Sequence, residues 1–155
     1  MDQCLAIIST RRFLRYMAKK EYFDGKFAWF FKAVGCIPVN RSIKDSDAKA
    51  KAIEHLEKSG AIGIFPEGTR NKTKDFLLPF KFGAVSMAKK TNAKLVPFGI
   101  TGDYKFRSKN LVARFGKPIE VGDMTLEEAN QKLEKAIGDL MKTNLKEEKN
   151  KGKSK

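Results

Sequence analysis

Glu67, Gly68, Thr69 and Arg70 follow one another directly after an apolar run, in "GIFPEGTRNK" (63–72). A carboxylate, a flexible backbone position and a guanidinium side by side suit a ligand that carries both a phosphate and hydroxyl groups. Gly68 takes backbone angles closed to other residues, so neighbouring amide N–H groups can turn toward an anion. Arg70 offers a planar fork of donors that fits phosphate bidentately. Glu67 either holds that guanidinium in place or accepts a hydrogen bond from a substrate hydroxyl. Taken alone, the same residues also describe a surface turn with a local ion pair worth about 0–1 kcal/mol.

Such a turn needs a rigid element behind it. "AIGIF" (61–65) is a continuous apolar run between Gly60 and Pro66, the pattern of a buried strand. In open α/β sheets, ligands gather beyond the C-terminal ends of strands. Upstream, the pattern predicts a short apolar helix over 3–9 and a strand over 12–18. Phe27, Phe30, Phe31 and Val34 recur at one helical face. Trp29 lies off that face, as a membrane-facing ring or an ordinary packed tryptophan. "CIPVN" (36–40) reads as a strand. Asp45 or Ser46 caps a helix to about residue 58, with Ala52, Ile53 and Leu56 inward and Gly60 ending it. Downstream come a helix over 82–91 and strands over 94–100 and 111–116. Leu126, Ala129, Leu133, Ala136, Ile137 and Leu140 form an amphipathic stripe over 125–145, with Thr125 and Glu128 at capping-box spacing. Strands alternating with helices imply an α/β fold, a mixed, mostly parallel sheet layered with helices.

The 155 residues fit one domain, expected over 1–141, with 142–155 as a basic, disordered tail. Net charge is +14, and +10 without that tail, which implies an anionic partner: nucleic acid, a membrane surface or a phosphorylated substrate. Cys4 and Cys36 lack CxxC spacing and read as free thiols of a reducing compartment. One histidine and two distant cysteines do not supply a metal site. No apolar run approaches the ~18–20 residues needed to span a bilayer, and no signal peptide is visible, so membrane contact is expected to be peripheral. The phenylalanine-rich segments 27–31 and 76–82 suit either core packing or the lining of an acyl-sized tunnel.

"FPEGTR" (65–70) resembles the signature of the glycerolipid acyltransferase family, the lysophosphatidate (1-acyl-sn-glycerol-3-phosphate) acyltransferases and their relatives. "GCIPVNR" (35–41) resembles the family's second block, "LLPFKFGA" (77–84) the segment after the signature, and "LVPFGI" (95–100) the later apolar block. The similarity covers the chain to about residue 140. It implies a glycerol-3-phosphate acyltransferase-like fold. It also implies transfer of a fatty acyl group from acyl-CoA or acyl-carrier protein to the free hydroxyl of lysophosphatidate in phospholipid synthesis, with no cofactor besides that co-substrate. The implied partners are a lysophospholipid acceptor, the acyl donor and an anionic membrane surface, with no nucleic acid, at the cytoplasmic face of the membrane. By the same resemblance, Arg41 and Arg70 hold the acceptor phosphate, while Glu67, Gly68 and Thr69 shape its pocket. Lys81 is a further anion-binding candidate, and Pro97 belongs to the apolar wall near the acyl chain.

One departure matters. In the family, a His-x-x-x-x-Asp block supplies the base: the histidine takes the acceptor's proton and the aspartate orients the imidazole. The single histidine here is His55, in "AIEHLEK", which does not resemble that block and reads as an ordinary helix residue. Asp2 falls where the aspartate is expected, which puts the histidine four residues upstream of Met1. The expectation is a chain that begins inside its own active site and has little turnover. The alternative is a non-catalytic homologue that binds anionic lipid. A nucleic-acid-binding module would draw on "RRFLRYMAKK" (11–20) and "YKFRSKN" (104–110), but no nucleic-acid motif accompanies them. An anionic lipid surface suits both stretches as well.

Overall fold

The computed structural model describes residues 10, 12–40, 43, 45–69, 71–73, 75–102 and 111–153. The expected helix over 3–9 and the basic stretch 104–110 lie outside these residues, as do Asp2, Arg41 and Arg70. The chain divides into two compact units, with the boundary between Phe65 and Pro66.

The first unit is built on a parallel sheet. β1 (Leu14–Lys19) is central, flanked by β2 (Ile37–Val39) and β3 (Ala61–Gly63). β2 pairs with its C-terminal half, Met17 opposite Ile37, and β3 with its N-terminal half, Leu14 opposite Ala61. Tyr16 and Ala18 alternate inward along β1, as a strand with one covered face requires. A 3-10 turn (Lys20–Phe23) and α1 (Ala28–Ala33) connect β1 to β2. α2 (Ser46–Glu57) follows and buries Ala48, Ala52 and Ile53. Its cap is Asp45: one carboxylate oxygen accepts from the Ala48 N–H at 2.9 Å and the other from the Asn40 N–H at 2.8 Å. A single side chain thus satisfies an orphan helix donor and fixes the exit from β2. The reversal after α2 falls on Ser59, with φ of 60°, rather than on Gly60. Gly60 serves a different need: the His55 ring packs against its Cα, where a side chain would clash.

Two expectations are corrected in this unit. The stripe Phe27, Phe30, Phe31, Val34 does form a helix, but none of its residues is buried. The run 61–65 is strand only to Gly63, is half-buried, and ends with Phe65 exposed. Helical periodicity and apolar composition specify element type; they do not specify what covers the element.

In the second unit, α3 (Gly83–Thr91) buries Ala84, Val85, Met87 and Ala88, and ends at Asn92 in the left-handed conformation. β4 (Phe98–Thr101) and β5 (Val112–Phe115) pair antiparallel, with Phe98 opposite Phe115 and their ring centroids 4.5 Å apart. A long helix, α4 (Leu126–Lys153), closes the unit. Its N-terminus carries the expected capping box: the Glu128 N–H donates to Thr125 Oγ1 at 3.2 Å, and the Thr125 N–H donates to Glu128 Oε2 at 2.8 Å. The expected boundary at 141 falls inside this helix. Asn144 is fully buried, accepts from Arg114 Nε at 2.9 Å and donates to the Gly99 carbonyl at 3.5 Å. Packed structure therefore continues past 141, and the backbone stays helical to Lys153. The architecture is α/β, with parallel pairing in the first unit and an antiparallel pair in the second.

Candidate functional site

Pro66 to Lys81 form a loop whose ends are tied by a backbone hydrogen bond, Lys81 N–H to the Pro66 carbonyl at 2.8 Å. Glu67 tightens it further. Its Oε2 accepts from the Leu78 N–H at 2.8 Å, eleven residues along the chain. A charged acceptor on a part-buried backbone donor is among the stronger local restraints available, worth about 1.5–3 kcal/mol. Between these ties, Asn71, Thr73 and Asp75 bond to one another: Asn71 Nδ2 donates to the Asp75 carbonyl at 2.8 Å, and Thr73 Oγ1 to Asp75 Oδ2 at 3.1 Å. Downstream, Asn130 Nδ2 of α4 donates to the Phe80 carbonyl at 3.0 Å and anchors the residue before Lys81. The loop is long but internally bonded, the behaviour of a compact surface loop rather than a loose linker.

Within this frame Gly68 has φ of +70°, a left-handed conformation, so the sequence places glycine where other residues are strained. The Lys81 side chain lies across its Cα. A β-carbon at Gly68 would stand 3.0 Å from Lys81 Cδ and Cε and 3.1 Å from Nζ. The absent side chain is what lets an ammonium group sit directly over the turn. Thr69 is exposed beside it. An ammonium group thus stands over a turn that only glycine adopts without strain, beside a carboxylate held on one oxygen by the Leu78 N–H. Arg70 follows immediately in the chain, and Arg41 follows β2; both lie outside the described residues.

The structure therefore brings together Glu67, Gly68, Thr69 and Lys81. Pro97 stands elsewhere in the unit. It is fully buried and lines a groove of about 780 Å³ between the 116–120 loop and α4, together with Pro118, Ile119, Ala136 and Leu140. None of Glu67, Gly68, Thr69 or Lys81 lines that groove. Sequence reasoning missed Leu78 as the partner of Glu67 and Asn130 as the anchor of Phe80. Both are backbone contacts made by distant side chains, and nothing in local spacing signals them.

His55 belongs to the other unit, in α2. Among the described residues its Nε2 is buried without a hydrogen-bond partner, and burial together with the Arg15 and Lys58 charges holds its pKa below the ordinary value of 6.5. Packed on Gly60, it fills the end of α2. Among the described residues no helix is long and apolar enough to cross a membrane.

Three comparisons bear on this arrangement. A family model described as Acyltransferase matches residues 1–101. The chain is similar to a 1-acyl-sn-glycerol-3-phosphate acyltransferase of Bacillus subtilis, 30% identical over 143 residues, covering 89% of this chain and 70% of the relative. It is also similar to a protein of the same name from Borreliella burgdorferi, 38% identical over 90 residues, or 57% of this chain and 36% of the relative. The crystal structure of the 1-acyl-sn-glycerophosphate acyltransferase of Thermotoga maritima superposes with a TM-score of 0.70 at 23% identity, covering 88% of this chain and 59% of that one. That likeness shows a shared α/β fold. The chain thus spans 70% of the first relative, about a third of the second and under two thirds of the solved structure.

Proposed function

The chain belongs to the Acyltransferase family, and on that footing we propose that it serves the transfer of a fatty acyl group from acyl-CoA or acyl-carrier protein to the free hydroxyl of lysophosphatidate. The observation that carries the reading is the Lys81 ammonium lying over Gly68, in a loop stiffened by Glu67. Lys81 would meet the acceptor's phosphate, joined by Arg70, two residues after Gly68 in the chain. Holding that phosphate orients the acceptor hydroxyl toward the thioester, and orientation of this kind is a large part of the barrier reduction in a two-substrate reaction. A histidine base then takes the hydroxyl proton as the oxygen attacks the thioester carbonyl. Collapse of the tetrahedral adduct breaks the C–S bond and releases the thiolate, which takes up a proton. In this division of labour Asp2 orients the histidine, and no resident cofactor is required.

His55 is not that histidine: its ring is packed against Gly60 at the end of α2. Without a positioned base the rate falls by about 10²–10⁴, so the 155 residues alone bind phosphate-bearing lipid but turn over little. Membrane contact would be peripheral and at the cytoplasmic face, through basic surface rather than a spanning helix. The experiment is titration of the 155-residue chain with lysophosphatidate, beside an acyl-transfer assay with and without added imidazole as a substitute base. Saturable binding, with slow transfer that imidazole accelerates, is the expected result. No binding of lysophosphatidate overturns the reading, and fast transfer without imidazole overturns the need for a base beyond these residues.

A further inference from the structure

The 3-10 turn and α1 present aromatic rings that the first unit does not cover. Neither element contains a buried residue. The rings nevertheless touch in a chain: Tyr22 to Phe31 with centroids 5.3 Å apart, Phe23 to Phe31 at 5.8 Å, Phe31 to Phe30 at 5.8 Å, and Phe30 to Trp29 at 6.1 Å. Phe27 and Trp29 are each 69% exposed, Tyr22 52% and Phe30 47%. A contiguous apolar surface of this kind marks an interaction site, whereas single exposed rings need no explanation.

The rim identifies the partner. Lys19, Lys20, Lys26 and Lys32, interleaved with the rings in the chain, are all exposed, against Glu21 and Asp24, and Glu21 is already paired to Lys19 at 2.7 Å. Protein–protein interfaces are depleted in lysine. Rings of tryptophan, tyrosine and phenylalanine bordered by lysine instead match the headgroup boundary of an anionic bilayer, where amphipathic rings settle and ammonium groups meet anionic lipid. α1 has six residues, so it can lie on a bilayer but not cross one.

We propose that the surface formed by Lys20–Phe23 and Phe27–Ala33 inserts its rings into the headgroup region of an anionic membrane. This gives residues to the peripheral contact proposed above, and it does not depend on the acyl-transfer chemistry.

Trp29 is the only tryptophan in the chain, so its emission reports on this surface alone. Phosphatidylcholine vesicles containing about a third phosphatidylglycerol are expected to shift that emission to the blue and protect it from acrylamide. Lipids brominated just below the headgroup are expected to quench it. Pure phosphatidylcholine vesicles are expected to act more weakly. Replacing Tyr22→Ser and Phe27→Ser together lowers co-sedimentation with the anionic vesicles by roughly ten- to a hundredfold, with circular dichroism and melting unchanged. Lys132→Glu with Lys135→Glu, on α4, leaves the Trp29 shift in place. Three results overturn the proposal: no vesicle binding, vesicle binding with Trp29 still open to acrylamide, or a blue shift that grows with protein concentration in the absence of lipid. The last would make the surface a protein interface. Any of the three leaves phosphate binding at Gly68 and Lys81 to be judged separately.

Discussion

Replacing Gly68 by alanine perturbs the site by a methyl group, and the structure says what that group meets. At φ of +70° an alanine carries left-handed strain of about 1–2 kcal/mol, offset by about 0.4–1 kcal/mol from the stiffer unfolded chain. The new β-carbon would lie 3.0 Å from Lys81 Cδ and Cε and 3.1 Å from Nζ, so a flexible side chain has to swing away. Gly122 is the matched control. It also has positive φ, 48°, and a β-carbon there has nothing within 4 Å. Both variants should lose about 1 kcal/mol of stability, a melting shift of about 2–4 °C for a chain of this size. Only Gly68→Ala should weaken lysophosphatidate binding, by about tenfold, the equivalent of one charge-assisted hydrogen bond. Calorimetric titration and thermal unfolding of both variants make the test. Equal binding by the two variants at equal loss of stability would refute the role given to Lys81.

Glu67→Ala leaves the Leu78 N–H without its carboxylate partner, costing about 1–3 kcal/mol; hydrogen exchange at Leu78 should accelerate, and unchanged protection there would show that this bond does not close the loop. Ending the chain after Met141 removes Asn144 and its bonds to Arg114 and Gly99, which should lower stability by about 2 kcal/mol or more. Ending it after Lys146 should lower the melting temperature much less, and equal melting of the two forms would contradict the packing of Asn144. Asp45 is held below its ordinary pKa of 3.8, first by the Ala48 N–H and then by the Asn40 N–H. Glu128 is held below 4.5, first by the Thr125 N–H. Because both values are depressed on folding, their contribution is complete above the ordinary carboxylate range and is lost as pH falls through the lowered values. Asp45→Asn with Glu128→Gln should therefore flatten the acid limb of stability against pH in urea titrations, and a limb as steep as before would contradict the assignment.

What could be read in the sequence was local. The cap at Asp45 and the Thr125–Glu128 box were legible because capping is a matter of spacing within one turn. The turn at Gly68 was legible because left-handed backbone demands a residue type. Contacts between distant segments were not. Glu67 was expected either on a guanidinium or on a substrate hydroxyl, and the structure puts one of its oxygens on the Leu78 N–H. The tail's composition concealed Asn144, one buried amide in a lysine-rich stretch. The stripe Phe27, Phe30, Phe31, Val34 gave the helix correctly, but periodicity carries no information on whether protein, lipid or water faces it. Pro97 was expected on an apolar wall, and the sequence around it did not show that the groove it lines is framed by α4, an element far along the chain.

The central claim is that this chain grips the phosphate of a lipid. It is tested most directly by comparing the affinities for lysophosphatidate and for the monoacylglycerol with the same acyl chain, in the native protein and in Arg70→Ala. The prediction is tighter binding of the phosphate-bearing lipid, by about tenfold or more, with that preference largely lost in the variant. Equal affinity for the two lipids in the native protein would contradict it.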